Sequence, residues 1–354
     1  MEIAILFLLF APLLFILWVA NLADRRRAEG RMSSEQALTW VAYGALVALY
    51  GVLAGLGLMF QLLGWLSQGP LAAELSHDLR AGGLDPALLL RMGMALWLPA
   101  LLGVLLLSRP VRYFCGRLIP TFNPASTVHG VALSYIALIL MNLLFTLGLG
   151  LDNLAKMLEA NEAAGMAFDP TGSIWAQDLI LVVMALVGVG WLARRGFVAA
   201  LKRLGVVLPT ARQVMLGLGS GLLLVPSVLL LEQAANAAGL NSDPGVEHLT
   251  EEMIGPLVSS ALGILTLGLA AALGEESLFR GALQPRFGLL LTTILFALLH
   301  SNYGITLSTL LVFVVGLALG LLRLRANTST AMLAHAIYNM ALGLITHWGW
   351  LENF

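Results

Sequence analysis

Apolar runs of about twenty residues return from one end of the chain to the other, and no polar stretch between them is long enough to fold as a soluble domain. A helix of that length covers about 30 Å, the thickness of the hydrocarbon core of a bilayer. Of 354 residues, 59% are hydrophobic and 11% charged, where a soluble protein carries about 25% charged. A soluble globular enzyme of ordinary make-up is excluded. The fold class that follows is all-α: a polytopic transmembrane helical bundle.

Runs near 3–21, 37–64, 88–107, 127–150, 174–193, 213–231, 256–279, 287–302, 305–322 and 329–348 predict about ten spans. The run 287–302 is short for a full crossing, and a tilted or re-entrant segment there leaves eight or nine. The first run carries Glu2 ahead of it and Arg25, Arg26 and Arg27 behind it, the order of an uncleaved anchor with its N-terminus outside. With that orientation every basic residue except Arg80, Arg91 and Lys156 falls in an inner segment, while acids such as Asp152, Glu159, Asp243 and Glu252 gather outside. The sequence thus predicts an integral, multi-pass protein whose partner is the lipid bilayer, and the net charge of -1 gives no reason to expect nucleic acid. Cys115 stands alone, so an intramolecular disulfide or a Cys-based metal site is ruled out, and a small buried hydrophobe is its expected role. The stretches Leu66–Pro86 and Asp152–Gly172 are polar and outward-facing. The pairs Gly51 with Gly55, Gly217 with Gly221 and Gly316 with Gly320 have the spacing of close helix packing.

Against this background the last hundred residues hold charges that do not belong. The apolar run from Leu267 ends in Gly274-Glu275-Glu276-Ser277-Leu278-Phe279-Arg280, and each charge at a helix centre costs about 2.5–3.5 kcal/mol. Glu276 and Arg280 are four apart, on one face and within ion-pair reach. Glu275 is turned about 100° away and is left without that cation. Burial of such a carboxylate favours its neutral form, the direction a general base needs. Phe296 and His300 share a face of a following helix, and His335 and Asn339 share a face of the last. His77, His248, His129 and His347 fall in loops or near span ends, where solvated or interfacial roles are expected.

Taken singly, Glu276 with Arg280 reads as a structural ion pair and the other groups as satisfied interhelical hydrogen bonds. Together they supply a base, two imidazoles able to give or take a proton, and an amide donor for an oxyanion. Histidine and glutamate are also zinc ligands, but the His-Glu-x-x-His spacing of helical zinc proteases is absent, so neither metal nor cofactor is assigned. If the helix of Glu275 stops before Pro285, Glu275 and His335 lie at similar heights above their inner helix ends. His300 lies deeper unless its helix tilts.

The block Glu275-Glu276-x-x-x-Arg280, with Phe296-x-x-x-His300 and His335-x-x-x-Asn339 in that order, resembles the CPBP family of intramembrane endopeptidases, the relatives of the type II CAAX prenyl protease. The resemblance covers about residues 250–345 and divides the chain into an accessory transmembrane region, 1–205, and a protease core, 206–354. It implies an enzyme, a glutamate-dependent endopeptidase acting on a membrane-associated protein or peptide. In that role Glu275 and His300 would activate water, His335 and Asn339 would hold the oxyanion, and Glu276, Arg280 and Phe296 would orient the site. The expected place is a bacterial plasma membrane, with the site opening to the cytoplasmic half. Two other readings stay open: a non-catalytic immunity or binding protein, and a proton-coupled transporter, for which polar residues in two related halves would be expected.

Overall fold

The structure is a computed structural model that describes residues 2–68, 85–163, 169–241 and 243–350. His77 and Arg80 lie outside the described residues. No strand is formed among the described residues, and the protein is an all-α, polytopic helical bundle.

Among the described residues, eight helices are long and apolar enough to cross a bilayer. They are α1 (Glu2–Ala28), α2 (Met32–Leu66), α3 (Pro86–Leu106), α5 (Thr127–Leu149), α7 (Pro170–Gly188), α9 (Ala211–Ala237), the continuous stretch Ala261–Leu299, and α13 (Leu307–Arg325). Shorter helices α4 (Arg109–Leu118), α6 (Leu151–Ala163), α8 (Phe197–Leu204) and α10 (Pro244–Val258) connect them. The last helix, α14 (Thr328–His347), is long enough to cross, but His335 and Asn339 are part of what makes it more polar than the rest. Eight differs from ten because Ala261–Leu299 contains two of the apolar runs and α14 is not among the eight.

The stretch Ala261–Leu299 comprises α11 (Ala261–Glu275), a π-helical turn (Glu276–Leu283) and α12 (Gln284–Leu299). Straight helix from Glu275 to His300 would separate the two by about 37 Å, yet their side chains stand 3.8 Å apart. The chain therefore doubles back. It does so at Gly288, whose φ of 77° and ψ of 173° lie in a region open essentially to glycine alone. A stop before Pro285 is not what the structure shows. In the π turn the Gln284 N–H bonds to the Phe279 carbonyl, five residues back, and this wide turn carries helix up to the proline without the usual clash. Glu275 and His300 lie thirteen and twelve residues either side of Gly288, so the two arms of the hairpin bring them to one height.

Helices α1, α2, α3, α5 and α7 share an apolar core that includes Ile16, Leu46, Tyr50, Ala100, Val131 and Ile180. Helix α9 lies along α14, where Gly217 and Gly221 meet the backbone of Thr330 and Ala334, and Gly316 and Gly320 bring α13 onto α12. Gly51 and Gly55 face nothing within 4 Å among the described residues. The close approach of α2 is made instead by Gly57 and Gly64 against α3.

Helix α7 lies between these two groups, packed on α1 on one flank and on α11 and the π turn on the other. Asn21 Nδ2 donates to the Val187 carbonyl (2.9 Å), and Trp175 Nε1 donates to Thr266 Oγ1 (3.1 Å). Arg286, which the charge pattern assigns to an inner loop, is buried, and its Nη2 donates to the Gly188 carbonyl at 2.9 Å. The last carbonyls of a helix have no partner within it, and a guanidinium there meets both their lone pairs and the negative end of the helix dipole.

Candidate active site

Adjacent carboxylates on α11 and the π turn face different surroundings. Glu276 is 0% exposed. Its Oε1 accepts from His335 Nδ1 at 3.0 Å and pairs with Arg280 Nη1 at 3.1 Å. A carboxylate can only accept, so Nδ1 carries the proton and Nε2 of His335 is left for other work. Arg280 donates through Nη2 to the Gly316 carbonyl (3.0 Å), and its guanidinium lies 4.1 Å from the centre of the Phe296 ring. Phe296 is wedged edge-on against Phe279 at 5.3 Å and lies 4.9 Å from the His300 ring. It is the floor on which cation and imidazole both rest. A Cβ on Gly316 would come within 2.8 Å of that ring.

Glu275 is 9% exposed, and its Oε1 stands 3.8 Å from His300 Nε2. Its Oε2 is buried and has no hydrogen-bond partner among the described residues. His300 Nδ1 lies 2.9 Å from the Phe296 carbonyl. Since a carbonyl cannot donate, Nδ1 is the protonated nitrogen, and a neutral ring then directs the Nε2 lone pair at Glu275. The His300 ring stacks on Tyr303 at 6.0 Å.

Glu275 with His300, and Glu276 with Arg280 and His335, are thus brought together over Phe296. Asn339 makes no hydrogen bond to them. Its Nδ2 donates to the Leu267 carbonyl on α11 (3.0 Å), which occupies one of its two N–H groups. The structure adds a residue that the motifs do not contain. Asp178 of α7 is 3% exposed, its Oδ1 has no partner among the described residues, and it lies beside Gly274, the residue before Glu275. It presses on Gly274, where any Cβ would collide with its carboxyl group. The signal was present in the sequence, because an aspartate inside the run 174–193 carries the same insertion cost as Glu275.

The remaining histidines stand apart from this site. His129 Nδ1 accepts from the Asn123 N–H (3.0 Å), and His347 Nδ1 donates to the Val258 carbonyl (2.8 Å). His248 of α10 lies between Asp152 (3.4 Å) and Glu159 (3.0 Å) of α6. Among the described residues, Glu159, His248 and Glu252 form the group of three whose ligand atoms lie within 4.8 Å of one another, the spacing a metal ion requires. These three are half-buried or exposed, and the α11–α14 site contributes none of them.

No curated protein matches the chain, and no solved structure does. Residues 257–341 match the family described as type II CAAX prenyl endopeptidase, Rce1-like. The match runs from the end of α10 into α14 and contains Glu275, Glu276, Arg280, Phe296, His300, His335 and Asn339, while Asp178 lies outside it. With its three motifs in order inside that match, the segment 257–341 is similar to a Rce1-like domain, consistent with the CPBP and CAAX protease family.

Proposed function

We propose that this protein is a glutamate-dependent intramembrane endopeptidase that hydrolyses a peptide bond of a membrane-associated protein or peptide. The observation that carries this reading is the division between the two carboxylates. Glu276 is held by Arg280 and His335, whereas Glu275 faces His300 across a gap of 3.8 Å. That gap exceeds a direct hydrogen bond and suits a water bonded to both groups.

In the reaction Glu275 takes a proton from that water as its oxygen attacks the scissile carbonyl carbon, while His300 orients it. The carbonyl π bond opens onto oxygen. His335, its Nδ1–H anchored on Glu276, carries a positive charge stabilised by that carboxylate and donates from Nε2 to the oxyanion. The second N–H of Asn339 donates beside it. Collapse of the tetrahedral intermediate breaks the C–N bond, and the proton held by Glu275 passes to the leaving amine.

Residues 206–354 would be the protease core and 1–205 an accessory region, with α7 as the wall between them. The distribution of Arg and Lys supports an outer N-terminus and a site opening toward the cytoplasmic half of a bacterial plasma membrane. The test compares membranes carrying the wild-type protein with membranes carrying Glu275→Gln, reading new protein termini by mass spectrometry. Termini present with wild type should be lost with Glu275→Gln, cleavage falling by about a hundredfold or more. Cleavage by Glu275→Gln within a few-fold of wild type overturns the reading.

A further inference from the structure

We propose that Asp178 holds a proton and donates it as a hydrogen bond to Glu275, so that a residue outside the matched domain fixes the orientation of the general base. The proposal rests on the reading of Glu275 as base. Its first support is a charge count. Asp178, Glu275 and Glu276 are all buried and meet two cations, the guanidinium of Arg280 and the His335 imidazolium of the proposed reaction, which leaves one carboxyl group without a counter-charge. A low-dielectric site does not hold such an excess of negative charge, and adjacent carboxyl groups relieve it by sharing a proton.

The second support is where oxygens lack partners. Glu276 Oε1 already meets Arg280 and His335. Asp178 Oδ1, Glu275 Oε2 and Glu276 Oε2 are all buried without a hydrogen-bond partner among the described residues, and of the two glutamates only Glu276 already has a cation and an imidazole on its other oxygen. Two carboxylate oxygens cannot satisfy each other, because both only accept. A proton on one makes it a donor and satisfies both at once. Gly274 is what lets α7 bring its carboxyl group this close, since a side chain there would occupy the same space.

The other titratable groups around the pair are accounted for. Arg280 serves Glu276, His300 faces the opposite oxygen of Glu275, Tyr303 stacks on His300, and His335 is bonded to Glu276. On the far flank of α7, Asp24 of α1 accepts from the Thr127 N–H. Helix α10 carries His248 and Glu252 in the group with Glu159, and Glu247 and Glu251 are exposed. With Oε2 fixed by Asp178, Oε1 is the oxygen turned toward His300 and the water. Asp178 is on this account a positioning residue.

The test separates a neutral donor from a charge. In Asp178→Asn the amide replaces the protonated carboxyl as donor, and in Asp178→Leu no donor remains. With a cleaved substrate in hand, Asp178→Asn should keep kcat within a few-fold of wild type. Asp178→Leu should lower kcat by about tenfold or more with KM little changed, the effect of losing a hydrogen bond to a charged group. The alkaline limb of the wild-type pH profile should move upward in Asp178→Asn, because an amide has no proton to lose. Independently of any cleavage, infrared spectra of the purified protein near neutral pH should show the C=O stretch of a protonated carboxyl that is lost in Asp178→Asn. An unchanged band, or Asp178→Asn as impaired as Asp178→Leu, overturns the proposal. Because the infrared arm needs no substrate, failure of the protease reading would not be mistaken for failure of this one.

Discussion

Among the described residues histidine and carboxylate meet at two places, once inside the bundle and once on its exposed surface, between the connecting helices α6 and α10. The contact distances are alike: 3.0 Å from His335 to Glu276 and 3.0 Å from His248 to Glu159. The surroundings are not. The side chains of Glu276, Arg280 and His335 are at most 6% exposed, whereas His248, Asp152 and Glu159 range from 32% to 58%. Water screens the outer group and can replace any partner removed from it. Inside, nothing replaces a lost partner, so what remains after a substitution decides the outcome. A contact distance alone measures neither case.

The largest effect on stability is expected at Arg280. Arg280→Gln leaves Glu276 buried with its cation gone and should destabilise the protein by about 3–5 kcal/mol, read as a fall in thermal midpoint in detergent. Removing both charges together, as Arg280→Met with Glu276→Gln, should recover most of that stability without recovering cleavage. A double variant no more stable than Arg280→Gln would break the comparison, because it would mean that the uncompensated charge is not the cause.

A smaller effect is expected at Gly288. Its backbone conformation is closed to residues with a Cβ, and Gly288→Ala should cost about 1–3 kcal/mol. Cleavage should fall further than stability, because the hairpin sets the distance from Glu275 to His300. Activity at the wild-type level in a folded Gly288→Ala would show that the turn does not set that distance.

How much of this was legible beforehand differs from residue to residue. The bundle could be read from the apolar runs, because in a bilayer length and composition alone decide what crosses. The charges of Glu275, Glu276 and Arg280 stood out through their insertion cost, and their angular offset already separated the two carboxylates. Asp178 bears the same cost but stands alone in its run, and only the packing of α7 on α11 shows that it lies against Gly274, beside the site. Pro285 is the stronger breaker on paper, yet the π turn before it absorbs the proline and moves the reversal to Gly288. Arg286 counts as an inner-loop charge until the end of α7 is seen to offer it a carbonyl. Gly51 and Gly55 have the right spacing, yet neither meets another helix among the described residues. Spacing along one helix says what shares a face, and says nothing of what that face meets.

The smallest effect belongs to the outer group and is one of pH. Hydrogen bonds from His248 to Glu159 and then to Asp152 hold the imidazole above its ordinary value of about 6.5. A group whose value is raised by folding contributes fully below its unfolded value, and that contribution is lost as the pH climbs through the raised one. Asp152 is held below its usual range, first by Lys156 and then by His248, so its contribution is present above about pH 3.8 and lost on acidification. The contact between α6 and α10 should therefore be firmest from about pH 4 to 6.5 and loosen above neutrality. Hydrogen exchange over Leu151–Ala163 and Pro244–Val258, corrected for the intrinsic rate, should show protection falling between about pH 6 and pH 8.5 in the wild type, and less so in high salt. His248→Gln should flatten that dependence and leave cleavage untouched. An equal fall in protection in His248→Gln would mean that the helices are held by the packing of Val246 and Leu249 and not by charge, and the outer group would then carry even less than its exposure implies.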